Sequence, residues 1–291
     1  MNLTSPSQVK AWCIANGFHP NRVLGQNFLI DRNALKAIVD AGLGGLGDPA
    51  GLDVLEVGPG LGVLTEEMLA RGCRVTAVEK DPVLAARLKA SLGDPAGLTV
   101  VSGDALDWIA KRNAARASAP AFACLVSNLP YQAGTRILLE LVQARDLPSM
   151  TVLVQTEVAE RLAAGPGSKT RGLAGVWAQL DYDVRLVRKV AASCFWPRPE
   201  VGSSVVRLDR HGRNAGLSEA ERALFRRLTK KAFGHRRKQL GSVFKDLIQS
   251  TARAEALSNE DWVALARELA SGGATPQTEN KENERASDDD T

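Results

Sequence analysis

Leu52-Asp53-Val54-Leu55-Glu56-Val57-Gly58-Pro59-Gly60-Leu61-Gly62 is the stretch that decides the fold. Residues 52–57 are short, nearly continuous in apolar character and β-branched, as a strand buried on both faces requires. Glycines at 58, 60 and 62 then break the run, and a helical pattern follows over 61–71. Such a turn lets a ligand approach the backbone closely, and the helix start offers unpaired N–H groups. The alternation continues downstream. Strands are predicted near 74–79, 98–103, 123–128 and 151–155, with helices at 82–92, 105–115 and 134–144. Pro82 suits a first helical turn, where a missing N–H costs little. The βαβα order predicts an α/β fold: an open, doubly wound, Rossmann-like sheet of parallel strands.

After 151 the pattern changes. Segments 157–164 and 173–180 read as short helices around a loop at 165–169. Segments 182–190 and 203–209 alternate like an antiparallel pair, separated by a Pro-rich stretch at 195–200. Residues 218–269 read as helices of a small separate lobe, and 271–291 lack apolar anchors and are expected to be disordered. The expected domains are therefore 1–210, 211–270 and an acidic tail at 271–291.

The 291 residues, 44% of them hydrophobic, suffice for a sizeable core. Net charge is only +4, but it is unevenly placed. Residues 221–245 hold nine Lys/Arg and one Glu, whereas 271–291 hold six acidic and two basic residues. The acidic tail thus masks a basic body suited to a polyanionic partner. Cys13, Cys73, Cys124 and Cys194 are scattered singly, so neither a metal site nor a disulfide framework is indicated. No signal peptide or membrane-spanning run is evident, and a cytoplasmic protein is expected.

The strand ends carry the chemistry. Glu79 closes the second strand twenty-one residues after Gly58, where a carboxylate can accept from both hydroxyls of a ribose. Asp104 closes the third and could accept from an adenine amine. The plainer reading makes Glu79 and Asp104 helix N-caps. The glycine turn alone does not separate a dinucleotide from S-adenosyl-L-methionine. The fourth strand end, Asn128-Leu129-Pro130-Tyr131, does, because hydride transfer has no use for it. Adenine N6 is a poor nucleophile, its lone pair being delocalised into the ring. The Asn128 side-chain oxygen and the Leu129 carbonyl could accept its two hydrogens and stabilise positive charge developing on nitrogen. Tyr131 offers a stacking face. Phe195 could close the other face of an extruded base. Alternatively, Asn128 bonds backbone while Tyr131 and Phe195 simply pack.

These motifs identify a resemblance to the small-subunit ribosomal RNA adenine dimethyltransferases of bacteria. It begins at Leu24-Gly25-Gln26-Asn27-Phe28-Leu29, passes through the four strand ends, Phe195 and Ser203-Ser204-Val205-Val206, and ends at Ala232-Phe233-Gly234-His235-Arg236-Arg237-Lys238. From the residues alone, Gln26-Asn27 is only a polar turn before a helix at 31–41. The resemblance implies that Asn27, Leu29, Gly58, Glu79, Asp104 and Asn128 line an S-adenosyl-L-methionine site. It further implies dimethylation of two adjacent adenines in a terminal hairpin of small-subunit rRNA, with the rRNA or the precursor small subunit as partner, late in assembly. The chain departs from the family at Gln132-Ala133, where Asn-Ile is more usual. It departs again at Glu200 and Gly202, where Lys and Asp are usual.

Arg226, Arg227, Lys230, Lys231, Arg236, Arg237 and Lys238, with Arg222, form a basic cluster suited to phosphate contacts. RNA shape would supply recognition. A monomer is expected. Two other readings share the scaffold: a large-subunit rRNA methylase of the macrolide-resistance type, and a non-catalytic RNA-binding assembly factor. Leu129-Pro130 and the Arg-Arg-Lys segment speak against the first, and the intact strand ends against the second.

Overall fold

A computed structural model describes residues 1–21, 24–115, 121–245, 248 and 250–271. The expectation for the tail lies outside these residues from 272 onward, and residue 271 ends a helix. The chain divides after Gly216 into two compact units. The first runs α1 (Pro6–Ala15), β1 (Phe28–Leu29), α2 (Arg32–Leu43), β2 (Asp53–Val57), α3 (Val63–Ala70), β3 (Arg74–Glu79), α4 (Pro82–Ser91), β4 (Leu98–Ser102), α5 (Ala105–Ala114), β5 (Cys124–Asn128), α6 (Gly134–Ala144), β6 (Ser149–Gln155), α7 (Thr156–Ala163), α8 (Leu173–Ala178), β7 (Tyr182–Val190), β8 (Phe195–Trp196) and β9 (Ser203–Arg210). The second contains α9 (Glu219–Gly234), α10 (Leu240–Phe244) and α11 (Asn259–Ser271).

The main sheet has seven strands in the order β4-β3-β2-β5-β6-β9-β7. The chain winds outward from β2 to β4, then returns to place β5 on the other side of β2. That reversal leaves a crevice beyond the carboxyl ends of β2 and β5, the place where open α/β sheets bind ligands. Strands β2 to β6 are parallel, as the alternation implied. The sheet is nevertheless mixed: β9 is inserted antiparallel between β6 and β7. Alternation over 182–190 and 203–209 revealed their pairing but not that β9 would extend the parallel sheet.

Period-two alternation divides the core between two faces. Leu55, Val57 and Leu125 point to a cluster closed by Ile109 of α5, Leu138 and Leu141 of α6, and Leu162 of α7. Val54, Cys124 and Val126 point the other way, to Leu35, Ile38 and Val39 of α2 and Leu64 and Met68 of α3. Short polar residues start the helices. Asp31 accepts from Ala34 N at 2.7 Å to cap α2, and Asp81 accepts from Val83 N at 2.9 Å to cap α4. Gly62, at φ +91°, turns the chain into α3, so that helix begins at Val63 rather than 61.

Two features were not read from the sequence. Helix α1 packs through Val9 and Cys13 into a third cluster with Phe18, Phe28 and Leu84. The two-residue strands β1 and β8 pair antiparallel, Leu29 opposite Phe195 and Phe28 opposite Trp196. In the second unit, Ser218 and Glu221 form a capping box at the start of α9. Leu224, Phe225, Leu228 and Ala232 are its buried stripe, and Trp262, Val263 and Ala266 are buried on α11.

Candidate functional site

The crevice is built from the backbone outward. Within β2 and β5, Val57 N donates to the buried Ser127 Oγ at 2.9 Å, locking the two strands just before they end. Beyond them lie Gly58 and Asn128. Gly58 has φ +69°, and a Cβ there would lie 3.6 Å from Pro130 Cδ. A side chain at Gly58 would therefore touch the Asn128 turn. Gly25, at φ +66°, packs on the same turn, where a Cβ would come within 3.1 Å of Tyr131 N.

Asn128 is oriented by its neighbours. Its Nδ2 donates to Asn27 O at 3.2 Å, while its Oδ1 is buried and has no hydrogen-bond partner among the described residues. A buried acceptor without a donor is costly in a finished core. Asn128 is one of the residues that line a cavity of about 210 Å³. Asn27 is itself held by Nδ2 donating to Gly25 O at 3.1 Å. Tyr131 and Ser203 share a 2.6 Å hydroxyl hydrogen bond, and burial raises the tyrosine pKa.

On the other side, Glu79 is 6% exposed. Its Oε2 accepts from Gly60 N at 3.0 Å and its Oε1 from Asp81 N at 2.8 Å. Burial raises its pKa, although both backbone donors favour the carboxylate. Glu79 is not a helix cap; Asp81 takes that place in α4. Asp104 is one. Its Oδ1 accepts from Leu106 N at 2.8 Å to cap α5, while its Oδ2 accepts from Lys80 Nζ at 2.8 Å. The lysine holds the Asp104 pKa below the ordinary value.

Asn27, Leu29, Gly58, Glu79, Asp104, Asn128, Leu129 and Tyr131 all line this one cavity. Phe195 does not join the lining set. Its pairing with Leu29 in the β1–β8 ribbon draws it into the second core cluster, where it is 2% exposed.

Three residues that the motif reading left without a role belong to the site. Glu56 is 1% exposed and lines the cavity, and burial pushes its pKa up to about 8 even though Thr65 Oγ1 donates to it at 2.6 Å. Its position at a strand end was the available signal. Gln26 is no mere turn residue: it accepts from Asn21 N at 2.7 Å and donates to Asp81 Oδ2 at 2.8 Å, binding the N-terminal segment to the head of α4. Lys80 lines the cavity beside Asp104.

In the second unit, Arg227, Lys230, Lys231, Arg237 and Lys238 are exposed, and Arg226 and Arg236 are half-buried. Lys231 Nζ lies 5.3 Å from the centre of the Phe244 ring, and Arg236 Nε is 3.6 Å from Glu255 Oε2. Arg222 is only 3% exposed and is no part of a surface cluster. Its place on the buried stripe of α9, between Ser218 and Phe225, explains this. Among the described residues no group of His, Cys, Asp and Glu could hold a metal ion. Nor is any helix among them long and apolar enough to cross a membrane.

The model of the ribosomal RNA adenine dimethylase family matches residues 17–271. The ribosomal RNA small subunit methyltransferase A of Deinococcus radiodurans is 47% identical over 213 residues, covering 71% of this chain and 67% of its own. That of Mycobacterium bovis is 39% identical over 293 residues, covering 93% of this chain and 89% of its own. Among solved structures, a dimethyladenosine transferase from Plasmodium falciparum superposes with a TM-score of 0.69 at 21% identity, covering 84% of this chain and 98% of that one. The 23S rRNA methyltransferase ErmE gives 0.63 at 24% identity, covering 84% and 100%. Both share the fold. With a family model spanning most of its length and relatives of this identity along it, the chain belongs to the ribosomal RNA adenine dimethylase family.

Proposed function

We propose that this chain transfers methyl groups from S-adenosyl-L-methionine to N6 of two adjacent adenines in a terminal hairpin of small-subunit ribosomal RNA, as the precursor subunit is assembled. It works as a cytoplasmic monomer. The observation that carries this reading is the placement of Asn128, whose buried Oδ1 has no hydrogen-bond partner among the described residues, on the same cavity as Glu79 and Asp104.

The cavity residues fit the cofactor. The Glu79 carboxylate suits a ribose diol, Asp104 an adenine amine, and Asn27, Leu29 and Gly58 complete the wall around them. S-adenosyl-L-methionine, when bound, supplies an electrophilic methyl carbon on a sulfonium. The protein's part is to present the acceptor nitrogen. In the first transfer Asn128 Oδ1 and the Leu129 carbonyl accept the two N6 hydrogens, and in the second one of them accepts the hydrogen that remains; this favours a pyramidal nitrogen and stabilises its developing positive charge. Holding N6 in line with the methyl carbon lowers the barrier further. No strong base is required, because the alkylated amine is acidic enough to release its proton to water. Tyr131, fixed through Ser203, provides a face for the extruded base. Arg226, Arg227, Lys230, Lys231, Arg236, Arg237 and Lys238 contact phosphates, so RNA affinity falls steeply with salt.

The test is to incubate the protein with labelled methyl donor and undermethylated small ribosomal subunits, then map the labelled nucleotides. Label in a pair of adjacent adenines as N6,N6-dimethyladenosine supports the proposal. Label confined to other nucleotides, or no label, contradicts it.

A further inference from the structure

Strands β3 and β4 run in register, Glu79 opposite Ser102, and Gly103 N donates to Glu79 O at 2.8 Å. Lys80 and Asp104 therefore emerge side by side just past two adjoining strand ends. Both residues line the cavity, Lys80 two strands and Asp104 three strands away from Asn128. With side-chain exposures of 61% and 30%, such a pair adds little to stability. Its place in the wall calls for another reason.

Asp104 Oδ1 is committed to the head of α5, so Oδ2 is the oxygen left to serve a ligand. That oxygen has a second lone pair, and the ammonium 2.8 Å away has N–H groups to spare. The wall therefore presents an acceptor and a cationic donor next to each other. Adenine carries the complement on its edges: an exocyclic amine donor flanked by ring-nitrogen acceptors. A hypoxanthine ring presents a carbonyl acceptor in place of that amine and mismatches Asp104.

We propose that Lys80 is a cofactor-binding residue that reads the adenine edge together with Asp104. Asp104 Oδ2 accepts from the exocyclic amine and Lys80 Nζ donates to a ring nitrogen beside it. The inference rests on the cofactor site assigned above and extends it to a residue that makes this chain selective for an adenine nucleoside.

The test is titration calorimetry of wild-type protein and Lys80→Met with S-adenosylhomocysteine, its 1-deaza and 7-deaza analogues, and its hypoxanthine counterpart. Wild-type protein is expected to bind the parent about tenfold more tightly than one deaza analogue, the loss of one charge-assisted hydrogen bond, and more tightly than the hypoxanthine form. Lys80→Met is expected to bind the parent about tenfold more weakly than wild type and no longer to distinguish it from that analogue. Two results would overturn the inference while leaving the cofactor site intact: unchanged affinity in Lys80→Met, or weaker affinity with the parent-to-analogue ratio preserved. Failure of wild-type protein to bind S-adenosylhomocysteine at all would overturn both the inference and the proposed function.

Discussion

At the scale of single residues, the site depends on side chains whose orientation is settled by neighbours far away in sequence. Asn128 is oriented by its Nδ2, which donates to Asn27 O, and its Oδ1 is left without a partner among the described residues. Asn128→Ala is expected to lower single-turnover methyl transfer by about 10²- to 10³-fold while RNA affinity in a filter assay is unchanged. An unaltered rate would remove Asn128 from the mechanism. Glu56 makes a second prediction. Its folded pKa of about 8 lies above the ordinary 4.5, so the folded state prefers the neutral acid. Its contribution to stability is full below about 4.5 and is lost as pH rises toward 8. Glu56→Gln keeps an acceptor for Thr65 and cannot ionise. Its Tm relative to wild type is therefore expected to rise between pH 5 and pH 8, and thermal melts showing the same difference at both pH values would contradict this. Asn128, Glu79 and Asp104 were legible because apolar runs ending in polar residues mark the carboxyl ends of parallel strands. Phe195 and Gln26 were not, since their surroundings come from contacts with Leu29 and Asp81 that no local pattern announces.

At the scale of elements, sequence pattern and structure agree best where one physical cause dominates. Strand β3 and helix α6 occupy the predicted spans because continuous β-branched burial and helical amphipathicity each leave one solution. Helix α1 escaped notice because only Val9 and Cys13 on it are buried, and β1 is too short for any period. Packing between elements makes its own prediction. Gly42 of α2 faces β5, where an added Cβ would collide with Val126 Cγ2. Gly42→Ala is expected to destabilise the first unit by about 1–3 kcal/mol, read as a lower urea midpoint with an unchanged slope. No loss would mean that helix and sheet can move apart freely. In the second unit, Ser218→Ala removes the capping box of α9 and is expected to cost about 1 kcal/mol. Equal urea midpoints for Ser218→Ala and wild type would contradict that.

At the scale of the whole molecule, composition foretold a basic body but not which cations are accessible. Arg222 lies inside the second unit and Lys231 is drawn toward Phe244, leaving Arg227, Lys230, Arg237 and Lys238 as the more open charges. Replacing Arg236, Arg237 and Lys238 together by Ala is expected to weaken RNA binding and reduce its log–log salt slope by roughly 0.7–0.9 for each phosphate that no longer meets a cation. A filter-binding slope equal to that of wild type would assign phosphate binding to other residues. The α/β order was readable because strands and helices alternate. The insertion of β9 was not, because strand order is fixed by packing of the whole sheet. The account as a whole depends on one arrangement: a cofactor held at the ends of β2 to β4 and an acceptor amine held at the end of β5. A crystal structure with bound S-adenosylhomocysteine tests it most directly. The expected result is a ligand in this cavity with its ribose at Glu79, its adenine at Asp104 and its sulfur facing Asn128 Oδ1. A ligand bound elsewhere, or an Asn128 side chain turned away from the sulfur, would contradict the account.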